Sequence, residues 1–438
     1  MGLKLHEKLK NINTYPFHMP GHKRNEKFGI TGSEIDITEI DGFDNLHSPC
    51  GVIADVEARL AEIYKAKKSF MLVNGSTVGI LSAIFAVCSE GDKIIVARNC
   101  HKSVYNACML RKLRVVFAEP EFDSVNGYYT RLSTEALSGV LSREPDAKAV
   151  VITSPTYEGR ISDISCDIPL IIDAAHGAHL GIHYFPKYPK GSIVISSLHK
   201  TLPALTQCAV MNVYDEKYIA KVKRYLDIFE TSSPSYVLMN SVSICCDIIE
   251  NRKELFREYY DNLCDFRLIE LDRLMLKYCE DISKIVISSE NTQLSGTQLA
   301  DILRKKYGIE AEMASVNYVV LMTSVGDEKE AFERLSSALT EIDGGLEYKK
   351  AKPFIKPPVI SGALGISVSF NCYETPLEEA EGKTANEFVF AYPPDIPIIV
   401  PGEVITKETL GYIRTLIESD VNIVSDGNLL PDKILTKA

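Results

Sequence analysis

Short apolar runs, small polar residues and amphipathic stretches alternate along the chain from residue 69 onward. Residues 69–73 (SFMLV) read as a buried strand, followed by Asn74-Gly75-Ser76-Thr77 and a helix-like run over 78–88. Residues 93–97 (KIIVA), 149–153 (AVVIT), 170–172 (LII) and 192–195 (SIVI) read as further short buried strands. Continuous apolar runs of this length, alternating with helices, predict an α/β fold whose mainly parallel sheet is covered on both faces. On such sheets ligands sit beyond the carboxyl ends of the strands, so the residues just after these runs are the candidates for chemistry.

Downstream the pattern changes. Residues 214–280 are strongly helical, most clearly at 218–229 and 252–278, and the latter predicts a long connecting helix reaching about residue 280. A strand at 284–288, a helix at 297–307, strands at 309–313 and 318–323 and a helix at 328–342 predict a smaller α+β domain. The predicted organisation is an N-terminal segment (1–48), a large domain (49–250) and a C-terminal α+β domain (251–438). The stretches 353–358 (PFIKPP) and 392–397 (YPPDIP) predict rigid loops, because proline locks φ and donates no hydrogen bond.

Composition narrows the class. Apolar residues make up 45% of the 438 and charged residues 24%, which excludes a disordered or low-complexity chain. Lys and Arg number 48 against 59 Asp and Glu, a formal charge of −11, so phosphate-driven nucleic-acid binding is a poor fit. The N-terminal stretch lacks the apolar core of a signal peptide, and His6 breaks a myristoylation match at Gly2. The longest apolar run, around 79–87, is too short to cross a bilayer. The eleven cysteines are dispersed without a CxxC pair, as expected of reduced, mostly buried thiols in a cytoplasmic protein, and no metal site is predicted.

Three features could do chemistry. Asn74-Gly75-Ser76-Thr77-Val78-Gly79 follows a strand and opens a helix, where free amides and hydroxyls can cradle a phosphate; a plain N-cap is the alternative. Asp173 ends the run Leu170-Ile171-Ile172, and either caps the next turn or holds a cationic ligand atom. Lys200 follows the next strand within Ser196-Ser197-Leu198-His199-Lys200. Pyridoxal phosphate needs all three: a phosphate cradle, an amine for its aldehyde and an acid beside its pyridine nitrogen.

The motifs carry a more specific likeness. They include Phe17-His18-Met19-Pro20-Gly21-His22-Lys23, Asp36-Ile37-Thr38-Glu39 and Asp44-Asn45-Leu46-His47-Ser48-Pro49. Leu72-Val73-Asn74-Gly75-Ser76-Thr77, Arg98-Asn99-Cys100-His101-Lys102-Ser103 and Ser154-Pro155-Thr156-Tyr157-Glu158-Gly159 follow. Then come Asp173-Ala174-Ala175-His176-Gly177-Ala178-His179, Ser197-Leu198-His199-Lys200, Tyr392-Pro393-Pro394 with Ile396-Pro397, and Pro401-Gly402-Glu403. In this order, over nearly the whole chain, they resemble the fold-type-I, pyridoxal-phosphate-dependent ornithine/lysine/arginine decarboxylases in the short form without an N-terminal receiver-like domain.

The resemblance implies a fold of the aspartate-aminotransferase type and a set of roles. Lys200 would bond the cofactor's aldehyde and later move a proton, Asp173 would pair with the ring nitrogen, and His101 would stack on the ring. Ser76, Thr77 and the Val78 amide, joined by Ser197 and His199, would hold the phosphate, and His176 would contact the phenolic oxygen. A satisfied core histidine is the alternative for His101 and His176. Asp395 stands where the family's YPPGIP motif carries glycine. Glu403 is a candidate ligand for the substrate's distal cation, against a helix cap near Thr406 or a solvated side chain, with Asp41, Asp44 and Glu158 next in order.

The implied activity is decarboxylation of a basic amino acid, arginine ahead of lysine or ornithine, feeding polyamine synthesis. A homodimer is implied, with the segment from His18 to His47 reaching a neighbour's pocket. An aminotransferase or lyase on the same scaffold is a second reading, with Arg98 and Arg160 as candidate carboxylate clamps. An inactive regulatory paralogue is a third.

Overall fold

The apolar runs fold, in the computed structural model, into two units interleaved along the chain. One holds the described residues up to Val87, with Ile172–Glu258 and Ser324–Gly326; the other holds Cys88–Ile171, Tyr259–Thr323 and Asp327–Ala438. The described residues are 4–12, 14–350, 353–354, 356–392 and 395–438, so the N-terminal stretch and both proline-rich stretches lie partly outside them.

In the first unit the strand Ala209–Val213 runs antiparallel between Lys68–Leu72 and Ile193–Ser197. Its five residues are all buried. The apolar-run reading passes over it because Asn212 interrupts the run; here Asn212 accepts from Ser69 Oγ at 2.6 Å and donates to Tyr188 Oη at 3.1 Å. The helix Gly75–Val87 follows the first strand and packs closely at Gly79. A Cβ there would lie 2.8 Å from Leu72 Cδ1 and 2.9 Å from Ile195 Cγ2, so glycine sets the height of this helix over the sheet. Further along, Phe85 meets Phe229 of the helix Ile219–Phe229 edge-on, with ring centres 5.0 Å apart.

The helix Val52–Tyr64 of the same unit starts on Asp44. That carboxylate accepts the N–H groups of Cys50, Gly51, Ile53 and Ala54 at 2.8, 2.7, 3.0 and 3.3 Å. Burial pushes the Asp44 acid up, but these backbone donors hold it below its ordinary value overall. Asp44 is thereby engaged in capping.

In the second unit Lys93–Ala97 runs parallel to both Arg114–Ala118 and Ala149–Thr153. The Arg114–Ala118 strand (RVVFA) is absent from the predicted set, although its apolar run carries the same signal. A separate antiparallel sheet has the order Met275–Leu276, Lys284–Ser288, Tyr318–Met322, Met313–Ala314, and the helices Gly296–Tyr307 and Lys329–Asp343 accompany it. Near the C-terminus, Val389–Ala391, Ile396–Ile399 and Ile423–Ser425 form a third sheet beside the helix Lys407–Glu418. Leu377, Val389, Ile405, Ile413 and Ile434 are the centre of its core.

Two predicted elements are shorter than expected. The long connecting helix over 252–280 ends at Phe266, as Lys253–Phe266. Beyond it Arg267 Nη2 donates to the carbonyls of Ile282 (3.1 Å) and Lys284 (2.7 Å). Asp343 takes the amides of Asp272, Arg273 and Leu274, and Met275–Leu276 joins a sheet. Tertiary partners thus override a helical period that is only a weak prior. Of the strand expected at 309–313 only its last residue is extended into a sheet, as Met313–Ala314, and Gly308 closes the preceding helix in the left-handed conformation (φ +62°). Among the described residues no helix is long and apolar enough to cross a membrane, and the eleven cysteines are free thiols.

Candidate active site

In the first unit two strand ends bring candidate residues together. Leu170–Asp173 ends on Asp173, which is buried and accepts the Ala175 N–H at 3.1 Å. Ile193–Ser197 runs straight into the single-turn helix Leu198–Thr201, which carries His199 and Lys200. Lys200 Nζ lies 2.9 Å from His176 Nε2, on the turn that follows Asp173. His199 Nδ1 lies 2.9 Å from the Cys208 carbonyl, to which it donates, and burial pushes this imidazole below its ordinary pKa. Ser197 Oγ and Thr201 Oγ1 are buried with no partner among the described residues. A group that brought acceptor atoms to this strand end would satisfy them.

The same unit presents the phosphate-cradle candidates. Gly75 opens the helix Gly75–Val87 at φ +78°, a left-handed conformation that glycine adopts without penalty, and its amide is held by the Gln207 carbonyl at 2.9 Å. Ser76, Thr77 and Val78 occupy the first turn: Ser76 half-buried, Thr77 exposed, Val78 buried. First-turn amides have no partner within the helix, and the helix dipole favours an anion there.

Glu230 anchors this loop from behind by accepting the Val73 N–H at 2.7 Å, and the Thr231 N–H donates to Asn74 Oδ1 at 3.0 Å. His47 in turn joins Asp227 Oδ1 (3.0 Å) and the Thr231 carbonyl (2.7 Å). Burial acts to lower the His47 pKa, but these two acceptors raise it overall. Sequence reasoning missed Glu230, for a single glutamate after an amphipathic helix carries no signal of its own.

Burial pushes the Glu230 acid up to about 7. An acid raised in the folded state contributes stability that is full below its ordinary value and is lost as pH rises through the folded one. Glu230→Gln keeps an oxygen acceptor for Val73 and removes the titration. The variant should therefore melt above the parent at pH 8, with the gap closing toward pH 5. A displacement of this size corresponds to at most about 3 kcal/mol. Parallel melting profiles across that range would show that Glu230 does not titrate there.

In the second unit His101 caps the helix Lys102–Leu110, with Nδ1 accepting the Ser103 N–H at 3.1 Å. Its Nε2 is 3.7 Å from the Asp395 carboxylate, which lies 3.0 Å from Lys102 Nζ. Asp395 has φ +63°, so aspartate here adopts the left-handed conformation that glycine reaches most easily. Burial pushes its acid up, while His101 and Lys102 hold it below its ordinary value overall.

Glu403 is also buried within this unit. Its Oε2 accepts the Val400 N–H at 2.8 Å and lies 3.3 Å from Arg98 Nη2. Arg98 further donates to the carbonyls of Pro397 (2.6 Å) and Ile398 (2.9 Å). The helix-cap and solvated alternatives for Glu403 do not hold, since Thr406 Oγ1 caps the following helix by accepting the Thr409 N–H at 3.1 Å. Arg160, the other candidate clamp, is paired with Glu280 at 2.8 Å. Arg98→Met should destabilise the protein by roughly 3–5 kcal/mol, because it strands a buried carboxylate and two carbonyls. Denaturant unfolding measures this, and a change under about 1 kcal/mol would show that water replaces the guanidinium freely.

Comparison with known proteins bears on the chemistry. The family profile "Orn/Lys/Arg decarboxylase, major domain" matches residues 4–288, and "Orn/Lys/Arg decarboxylase, C-terminal domain" matches residues 362–423. The chain is 30% identical to an arginine decarboxylase of Bacillus subtilis over 94% of its own length and 92% of that protein. It is also 30% identical to an arginine decarboxylase of Halalkalibacterium halodurans, over 92% of this chain and 90% of that one. Among solved structures, the Francisella novicida lysine decarboxylase superposes with a TM-score of 0.80 at 17% identity, covering 99% of this chain and 81% of that chain. The architecture is that of the fold-type-I, pyridoxal-phosphate-dependent enzymes, a large α/β domain with a smaller C-terminal domain. With the major-domain match spanning well over half of its 438 residues, the chain belongs to the Orn/Lys/Arg decarboxylase family and is a pyridoxal-phosphate-dependent amino-acid decarboxylase.

Proposed function

We propose that the protein removes the α-carboxylate of a basic amino acid, arginine before lysine or ornithine, and that the amine it releases feeds polyamine synthesis. The observation that carries this reading is the approach of Lys200 Nζ to His176 Nε2, 2.9 Å apart, which brings together the turn after the buried Asp173 and the one-turn helix after Ser197. The arginine decarboxylases among its relatives support the substrate preference.

The residues present fit pyridoxal phosphate. Ser197 Oγ, buried without a partner among the described residues, and the open first turn at Ser76, Thr77 and Val78 suit a phosphate. When bound, the cofactor supplies an electron sink for the pair left on the α-carbon as carbon dioxide departs. Lys200 would supply the amine that holds the cofactor's aldehyde carbon and would return a proton to the substrate's α-carbon. Asp173 would keep a proton at the pyridine nitrogen, His176 would orient the phenolic oxygen, and His199 would join Ser197 at the phosphate. His101, its ring fixed through Ser103, would offer an aromatic face to the cofactor's ring.

Glu403 enters this reading in either of two ways that one experiment separates. As a support for the loop from Pro397 to Glu403, Glu403→Gln should lower stability and leave KM unchanged. As a ligand of the substrate's distal cation, it should raise KM severalfold and leave stability unchanged.

The segment before Val52 exposes Tyr15, Phe17 and Met19, with Phe17 92% exposed. Exposed apolar side chains of this kind support a homodimer in which the segment covers, or is covered by, a second copy. Eleven free thiols support a cytoplasmic enzyme, since thiols stay reduced there. Product analysis with arginine, lysine and ornithine offered separately tests the central claim. Carbon dioxide from arginine fastest is expected, and release from none of the three would overturn it. An active monomer in sedimentation would remove the dimer.

A further inference from the structure

The second unit contains a cavity of about 100 Å³ bounded by Tyr128, Tyr157, Tyr318, Tyr412, Met313 and Glu158. Glu158 is 5% exposed and accepts from Tyr318 Oη at 3.2 Å. Gly159, next in the chain, sets its direction. At φ +81° a Cβ there would lie 2.9 Å from both the Asp281 carbonyl oxygen and Lys284 Cβ, so the turn that presents Glu158 requires glycine at this position.

Among the described residues no Lys, Arg or His makes an ion pair with Glu158. Arg98 lines the same cavity, but its donors go to Glu403 and to the carbonyls of Pro397 and Ile398. Arg160 is held by Glu280. Glu158 is held by neutral donors, the Tyr318 and Thr156 hydroxyls and its own backbone N–H, with no cation beside it, and burial pushes this acid up to about 7. Four tyrosines line the same cavity, and aromatic rings attract cations, weakly hydrated planar cations most readily.

We propose that this cavity binds the cationic end of an alkyl-guanidinium or alkyl-ammonium molecule, with Glu158 as counter-ion and the tyrosine rings as walls. Two sources share that chemistry: the side chain of the basic amino acid itself, and an amine acting as a separate effector. The choice of these ligands rests on the proposed decarboxylation, whereas the preference of the cavity for a cation stands apart from it.

The test uses the cofactor-loaded enzyme, with n-butylguanidinium as probe and n-butylurea as its neutral counterpart of the same shape. Neither bonds an aldehyde as an alkylamine does. Calorimetry should show the cation binding about tenfold or more tightly than the urea, and Glu158→Gln should erase that difference. The variant's melting temperature, expected at or above the parent's, shows that the fold is kept. Competition that raises KM for the amino acid at constant kcat assigns the cavity to the substrate's side chain. A fall in kcat at constant KM assigns it to an effector amine. Equal binding of the two probes, or a preference that survives Glu158→Gln, overturns the site. Decarboxylation of arginine alongside that result leaves the proposed function standing. A Glu158-dependent preference in a protein inactive on every basic amino acid does the reverse.

Discussion

Lys200→Ala should abolish decarboxylation while leaving the fold intact. The side chain sits on the four-residue helix Leu198–Thr201, closed through the backbone by the Leu202 N–H donating to the Leu198 carbonyl at 2.9 Å. Truncation at Cβ leaves that turn unchanged and removes the arm beyond it, with the amine beside His176. Loss of a covalent amine commonly costs about four orders of magnitude or more in kcat. Carbon dioxide release should fall to background, and the borohydride-sensitive absorbance of the bound cofactor should disappear. Circular dichroism should match the parent. A variant that turned over at the parent's rate would show that another amine holds the cofactor.

The second large effect is expected at Asp173. Asp173→Asn keeps an Oδ1 acceptor for the Ala175 N–H, so the strand end and its turn should persist. What it loses is the negative charge that keeps a proton on the pyridine nitrogen. Charge stabilisation of this kind is worth several kcal/mol in a transition state, so kcat should drop roughly a hundredfold or more at equal cofactor occupancy. Occupancy is read from absorbance and rate from product. A kcat indistinguishable from the parent's would remove Asp173 from the pyridinium role, leaving it the capping contact that the structure shows.

Much of the site is readable before folding because its parts are local. A strand end, a small-residue turn and a helix start are set within a few residues, as at Leu72 through Val78 and at Ile193 through Lys200. The supports are not local. Glu230 reaches Val73 across 157 residues, and Arg98 reaches Glu403 across 305. Neither pairing leaves a period or motif in the chain. Glu158 stands in the motif Ser154–Gly159, but its meaning depends on which rings surround it and on Arg98 and Arg160 being engaged elsewhere.

By itself the sequence determined the α/β class, the order of cradle, acid and amine, and the family, because apolar periodicity and short motifs act over a few residues. The tertiary structure decided where the predicted connecting helix stops, since Asp343 and the Lys284–Ser288 strand compete for the backbone after Phe266. It also decided which charged side chains are already paired. Arg98, Arg160, Asp44 and Glu403 all read as free chemistry in one dimension. In three dimensions their charges or hydrogen-bonding atoms are taken by partners that burial brings within about 3 Å, and an ion removed from water is held by whichever partner folding places beside it.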